Sequence, residues 1–488
     1  MGSCHARFLG SVFLALKRFG QSTEDGWGRA AILGAVLLGA ALMLVFIKDA
    51  IQPWRRFSPE PRTTVPTLTG KPERCLTCHF GIEEVSPAHP IQAFGCVTCH
   101  GGNALALSKT RAHSGLLGKR NPASLTVQER TCGKEGCHIR PDNPLRSPSA
   151  SVPLTLMATK ASEIAKVGFA LGWQGDELAQ FGVRLAREAL GMAPEIRENR
   201  MLAAGSLSPF RPEGNPQKIR FMKNCLNFCH LHTGQDLKNP RAMHLSGCSA
   251  CHVPFRPTDR YLGKDKAIKR DEAGHAPYHK MTTAIPYTAC NACHNRGVHS
   301  LRLEFLYRTD IPRQAIAESS VNRLKAYYIP QAQFARCEIE LECIDCHTRT
   351  EVMGDGHLTG NKDALQRVRC KTCHGTKNAP PEFLRLSTGD NEAFWVARSY
   401  RKGMPELKLG DRVAVTESGE PVPHVRERNG RAVLYSKVYE KSWSIPLVAQ
   451  SGCTQDPKKQ RSQACYSCHD ASRHQEDLPG LKPSFSSR

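Results

Sequence analysis

The chain is 488 residues long, with 67 Lys and Arg against 45 Asp and Glu, a formal charge of +22, 40% hydrophobic and 7% aromatic residues, and 21 cysteines beside 20 histidines. That length allows two to four ordinary domains, but the modest apolar content excludes reading a core from hydrophobic residues alone. The basic surplus implies an anionic partner, and the use of the cysteines and histidines decides whether that partner is nucleic acid.

Residues 30 to 47, AAILGAVLLGAALMLVFI, are uncharged between Arg29 and Lys48, a length that crosses a bilayer as one helix. The sequence predicts an uncleaved anchor rather than a signal peptide, since a long segment precedes it and no small-x-small site comes after it. Residues 1–29 are then the cytoplasmic N-terminus, with 7–19 as a short amphipathic helix on the membrane face and Cys4 as a reduced thiol. Lys and Arg flank both ends of the anchor, so the charges beside it do not orient it. Residues 48–74, rich in Pro, Thr and Arg, read as an extended tether.

From Cys75 to Asn103 the chain reads CLTCHFGIEEVSPAHPIQAFGCVTCHGGN, which contains C-x-x-C-H twice. This pentapeptide spaces two thiols for the vinyl groups of one haem and places a histidine under its iron. Chance at these frequencies gives roughly 0.04 matches in such a chain. Seven occur, beginning at Cys75, Cys96, Cys248, Cys290, Cys343, Cys370 and Cys465. CGKEGCH from Cys132 and CLNFCH from Cys225 are looser versions with four and three intervening residues, which brings the count to nine. Thioether attachment then falls to Cys75, Cys78, Cys96, Cys99, Cys132, Cys137, Cys225, Cys229, Cys248, Cys251, Cys290, Cys293, Cys343, Cys346, Cys370, Cys373, Cys465 and Cys468. Proximal iron ligation falls to His79, His100, His138, His230, His252, His294, His347, His374 and His469. Zinc sites and disulfides also pair cysteines, but neither places a histidine after every second one. Nine haems bring about eighteen propionates, which absorb most of the basic surplus, so no nucleic acid is needed. Haem is attached outside the bacterial inner membrane, which orients the anchor with everything after Lys48 in the periplasm.

The proximal histidines form close pairs, His79 with His100, His230 with His252 and His347 with His374, each followed by a third at His138, His294 and His469. The repeat predicts trihaem units at 75–150, 216–300 and 337–488. A helical insert at 151–215 shows Ile164, Val167 and Leu171, then Leu178, Phe181 and Leu185, at helical spacing, with breaks near Gly172 and Pro194. A mixed connector fills 301–336. Within the third unit, 385–450 is a β-rich insert whose β-branched runs flank Asn429-Gly430, a type I′ hairpin signal. The expected fold class is mainly α with extensive irregular loops wrapped around covalent haems, a small β-hairpin insert near 410–440, and one N-terminal transmembrane helix.

Each iron has a second axial position, and its occupant separates electron carriers from sites of chemistry. Setting aside the proximal histidines and cytoplasmic His5 leaves His89, His113, His232, His244, His275, His279, His299, His357, His424 and His474. Ten candidates for nine positions permit bis-histidine ligation throughout. His89, His244 and His357 rank first, because each precedes the second histidine of a close pair by 8 to 17 residues. His424, in the hairpin insert, is set aside, and the other nine are the distal candidates. Met281 and Met353 are fallback ligands. Cys337 and Cys453 are left over, and their pairing is open.

With GIEEVSPAHP, CHGGN and ELECIDCHTRTEVMGDG in view, the segment from Cys75 to His469 resembles the membrane-anchored multihaem c-type cytochromes of bacteria. The resemblance implies haem c as cofactor and a periplasmic domain on one helix of the inner membrane. It also implies electrons taken from the quinol pool or a quinol dehydrogenase and passed to periplasmic cytochromes. The competing expectation is an octahaem-type oxidoreductase acting on small nitrogen or sulfur oxyanions at one open-faced haem. Against it, no C-x-x-C-K site occurs; the atypical sites at Cys132 and Cys225 are where an open iron would be sought. No residue is assigned as catalytic.

Overall fold

The computed structural model describes residues 26–119, 121–139, 147–187, 205–233, 244–256, 258–290, 292–293, 337, 340–361, 365–400, 404–456, 465 and 469. The expected amphipathic segment 7–19, the connector 301–336, and the site residues His294, His299, Cys468 and His474 lie outside the described residues.

The apolar run forms a helix from Gly26 to Ala50 whose side chains, Leu33, Leu37 and Phe46 among them, face outward. Its stretch from Gly28 to Ala50 is long and apolar enough to cross a membrane. The helix stops before Pro53, which cannot continue it and opens a single 3₁₀ turn that buries Trp54.

The expected extended tether is folded back at its C-terminal end. Thr64 and Glu73 exchange backbone hydrogen bonds of 2.8 and 2.7 Å, and the N–H groups of Thr67 and Leu68 donate to the carbonyls of Gln92 and Ala93. Glu73 is buried and its carboxylate accepts the N–H of Cys96 at 2.7 Å, a side-chain cap for the turn beginning there. Gly95 is needed at this point: its φ is +66°, and a Cβ would sit 2.5 Å from Pro66 Cγ and 2.6 Å from Glu73 Oε1.

The attachment motifs fold as isolated turns of helix, at Cys75–Thr77, Val97–His100, Ser249–His252, Cys343–Cys346 and Cys370–His374. A spacing of three puts both thiols on one face of such a turn. Apart from the N-terminal helix, the longest described helix is Ala161–Ala170, ten residues, and the other described helices are shorter, with irregular segments between them.

Among its described residues, the helical insert is helical in its first part and again at Pro216–Phe221, just past its end. Ile164 and Val167 lie on Ala161–Ala170, but the second stripe is extended: β1 (Phe181–Gly182) and β2 (Ala186–Arg187) flank β3 (Ser206–Pro209). Gly172, with φ +73°, ends the helix, and after it F-G-V-R-L alternates as a strand does.

The β-rich insert is larger than one hairpin. Five strands, β4 (Phe383–Arg385), β5 (Arg412–Val415), β6 (Pro421–Arg428), β7 (Arg431–Tyr435) and β8 (Ser442–Ser444), form one antiparallel meander. Asn429 and Gly430, both with positive φ, make the β6–β7 turn as the dipeptide predicts. Val422, Val425, Ala432 and Leu434 pack with Val368 and Ile445 beneath the sheet, and the helix Asn391–Arg398 closes a second cluster with Leu386, Leu407 and Val413.

Candidate haem sites

Every one of the nine motifs has a thiol against a thiol of another motif: Cys75 with Cys96, Cys132 with Cys248, Cys229 with Cys293, Cys290 with Cys343, and Cys370 with Cys465. Motifs far apart in sequence are therefore neighbours in space. The first two expected units interlock: Cys248 N–H donates to Ala123 O, while the Asn121 side-chain amide donates to both Ser246 oxygens. Gly247 has φ +63°, and a Cβ on it would lie 2.0 Å from Ala123 O.

Bis-histidine ligation requires imidazoles on both faces of the iron with Nε2 free to ligate. Metal–nitrogen bonds of about 2 Å place the centroids of two axial imidazoles roughly 6 Å apart. His79 and His113 lie 6.1 Å apart, His89 and His138 5.7 Å, and His100 and His279 5.9 Å. The third pair joins the first expected unit to the second. His89, placed between two motifs by the sequence, stands against the proximal histidine of a third.

The other ring nitrogen fixes the tautomer. Nδ1–H of His79 donates to Asp265 Oδ2 at 2.7 Å, of His252 to Thr282 O at 2.8 Å, of His347 to Glu351 Oε2 at 2.8 Å, and of His374 to Pro446 O at 2.7 Å. Among the distal candidates, His244 donates to Leu245 O, His275 to Ala276 O, and His279 to Glu83 O. His89 Nδ1 shares a hydrogen bond with Ser86 Oγ. In these, Nε2 is left to bind a metal except at His244, whose Nε2 stands 3.2 Å from the Thr233 hydroxyl. His424 is reversed: buried in β6, it spends Nε2 on Asp345 O at 2.7 Å. His357 lies just beyond the helix Arg349–Met353 and donates its backbone N–H to Asp355.

Electrostatics separate the sites. The bond to Asp265 raises the His79 pKa, while burial pushes His100 down to about 4 with His279 and His79 adding repulsion. Burial lowers His138 and His252 as well, so neutral, ligand-ready imidazoles are favoured there. Burial opposes the charge of Glu83, but the N–H groups of His279 and Lys264 outweigh it and hold the carboxyl below its usual range.

The motif from Cys225 differs from the rest. Its extra residue is absorbed by a π-helical turn, Met222–Leu226, and by Cys229 at φ +57°, a strained conformation for a side-chain-bearing residue. His230 Nδ1 faces a donor, the N–H of His232 at 3.3 Å, rather than an acceptor. Burial, then His232 and Lys160, push His230 down to about 3, and the buried Nδ1 of His232 has no hydrogen-bond partner.

Glu73, Cys75 and Cys96 also form the one cluster among the described residues with the geometry of a small metal site. The Glu73 carboxylate is already committed to the N–H groups of Cys96 and Val97, which argues for attachment chemistry there. Neither Cys337 nor Cys453 is in a disulfide; they lie near Cys373 and Cys465 respectively.

Sequence reasoning missed Asp265, Glu351, Glu73 and Glu83. Glu351 had a local signal, the T-x-x-E capping box from Thr348, which the structure forms. Asp265 had none, being 186 residues from His79.

Residues 289–375 match the family model described as cytochrome c554 and c-prime, a stretch carrying the motifs at Cys290, Cys343 and Cys370. No curated protein and no solved structure is similar enough to the chain to count as a match. The match supports a c-type cytochrome with covalently bound haem c and a role in electron transfer or redox chemistry.

Proposed function

We propose that this chain conducts electrons through about nine covalently bound haems, from the quinol pool or a dehydrogenase of the bacterial inner membrane to periplasmic cytochromes. The observation that carries this reading is the set of imidazole pairs at 5.7 to 6.1 Å, several with Nδ1 tied to an acceptor. Haem supplies the redox centre. The chain's thiols fix it, His79, His100 and His138 ligate from one side, and His113, His279 and His89 from the other. Asp265 and Glu83 keep the Nδ1 protons in place, which orients the rings and strengthens the donor nitrogen. The thiol contacts gather the nine motifs into four groups of close neighbours, which supports short steps between cofactors within each group. The helix Gly28–Ala50 serves as the anchor and holds the haem-bearing part in the periplasm. A pyridine haemochrome assay should give about nine haems per chain, with low-spin signals in electron paramagnetic resonance; predominantly high-spin iron would refute the wire.

One observation favours a second role at one site. The Cys225 motif, with its π turn, strained Cys229 and reversed His230, departs from the other described motifs in backbone and in hydrogen bonding. An oxidoreductase acting on small nitrogen or sulfur oxyanions would work there. Turnover of nitrite, hydroxylamine, tetrathionate or sulfite with a reduced dye tests it, and its loss in a Cys225→Ala, Cys229→Ala variant locates it.

A further inference from the structure

The five-stranded sheet grips the Cys343 motif with charged groups that electron conduction does not require. Lys437 is buried just after β7; its Nζ donates to Ile344 O and its N–H to Asp345 Oδ1 at 2.8 Å. On the next turn, His347 Nδ1–H bonds Glu351, whose other oxygen accepts the N–H of Arg367. Glu420, immediately before β6, accepts the Thr350 hydroxyl at 2.9 Å.

Between these groups lies a cavity of about 20 Å³ lined by Glu420, Thr348, Tyr400, His424 and Lys437, and by Arg349 and Glu392. That volume holds one water. His424 lines it at 1% exposure, with a buried Nδ1 that has no hydrogen-bond partner.

Charge is unevenly shared here. Asp345, Glu351 and Glu420 surround one buried ammonium, Lys437. The guanidinium of Arg349 stands 3.6 Å from Glu392, Arg367 3.6 Å from Asp355, and Arg426 4.0 Å from Asp411. Glu342, on the far side of Asp345, accepts the Tyr439 hydroxyl. Burial raises the Glu420 pKa against the opposing pull of the Thr350 hydroxyl, the Arg367 charge and the Thr348 hydroxyl, and the Glu351 charge adds the smallest contribution to the rise. Like carboxylates crowded out of water share protons, so their occupancy follows any new charge nearby.

We propose that Glu420 is the acceptor of a redox-linked proton: when the cofactor held by Cys343, Cys346 and His347 gains one electron from an external one-electron donor, Glu420 takes one proton from solvent through this cavity, and releases it on reoxidation. One electron and one proton enter together, so the net charge of the buried cluster is unchanged. The coupling runs from His347 through its bond to Glu351, whose negative charge is then less compensated, to Glu420 as the next carboxylate outward.

The inference rests on haem attachment at Cys343, which has its own test: Cys343→Ala with Cys346→Ala should lower the pyridine haemochrome by one haem. The coupling is tested by potentiometric titration of the full holoprotein at a series of pH values. One component of the wild type should fall in midpoint as pH rises, and Glu420→Gln should abolish that dependence while the other components stay in place. A wild type with no pH-dependent component, or a Glu420→Gln chain with the same slope, overturns the proposal. Should Glu420→Gln lose haem, Thr350→Val removes only the hydroxyl that favours the carboxylate and should move the pH window upward; an unmoved window also overturns it.

Discussion

Residues 62–119 and the sheet from Phe383 to Ser444 are each firmly held, but for opposite reasons. In the first, few apolar side chains are buried, Ile91 and Pro66 among them, and order comes from Glu73, short turns and paired imidazoles. In the second, Val413, Ala414, Val422, Val425, Ala432 and Leu434 form a conventional core under a regular ladder. Around the first two motifs few apolar side chains are buried and a cofactor is left to take their place, whereas Cys225 itself joins a cluster with Ile164, Phe221 and Leu226. A bound porphyrin packs as a large aromatic group would, so its segment needs anchors for polar edges more than side chains for a core.

Withholding haem is the severest test of that contrast. Chain produced without haem-attachment machinery should lose protease resistance across 62–290, while fragments spanning 383–447 survive; equal resistance in both regions would dissolve the distinction. Next is the sheet itself. Leu434→Ala should cost about 2–5 kcal/mol in denaturant unfolding without changing the haem count. At the imidazole pairs, His89→Ala and His279→Ala should each convert one low-spin haem to high-spin or methionine-ligated iron, and an unchanged spectrum removes that histidine from the ligand set. A subtler change is Asp265→Asn, which keeps the shape but removes the charge behind His79. It should raise the potential of one haem, because a less basic imidazole stabilises ferric iron less.

The smallest effect belongs to the partly exposed Arg428–Asp411 pair on the sheet, at 2.9 Å. Burial opposes the Asp411 charge, but the Arg428 bond outweighs it and lowers its pKa. A depressed carboxyl contributes stability that is present above its unfolded value, about 3.9, and is lost as pH falls through the folded value. Arg428→Met should therefore cost about 0–1 kcal/mol near neutrality and flatten the acid limb of stability against pH.

The attachment motifs and the β6–β7 turn were legible because their information is local: C-x-x-C-H fits in one helical turn, and Asn429-Gly430 specifies its own φ angles. The apolar helix Gly26–Ala50 was legible for the same reason. Partner identities were not, since His100 meets His279 and His79 meets Asp265 across long loops that no periodicity encodes. The stripe from Leu178 to Leu185 misled because three apolar residues at such spacing suit a helix or the alternation of a short strand, and the glycines around it favour the latter. The fold-back at Glu73 was hidden by composition, as a proline-rich stretch reads as a spacer whether or not one carboxylate pins it down.

The bond between His79 and Asp265 also sets an order of events. A chain made N-terminus first completes Cys75 through His100 well before Asp265 and His279 exist. His79 and His100 therefore wait for the carboxylate and the imidazole that face them, and the arrangement around the first two motifs is completed only by residues from the second half of the chain.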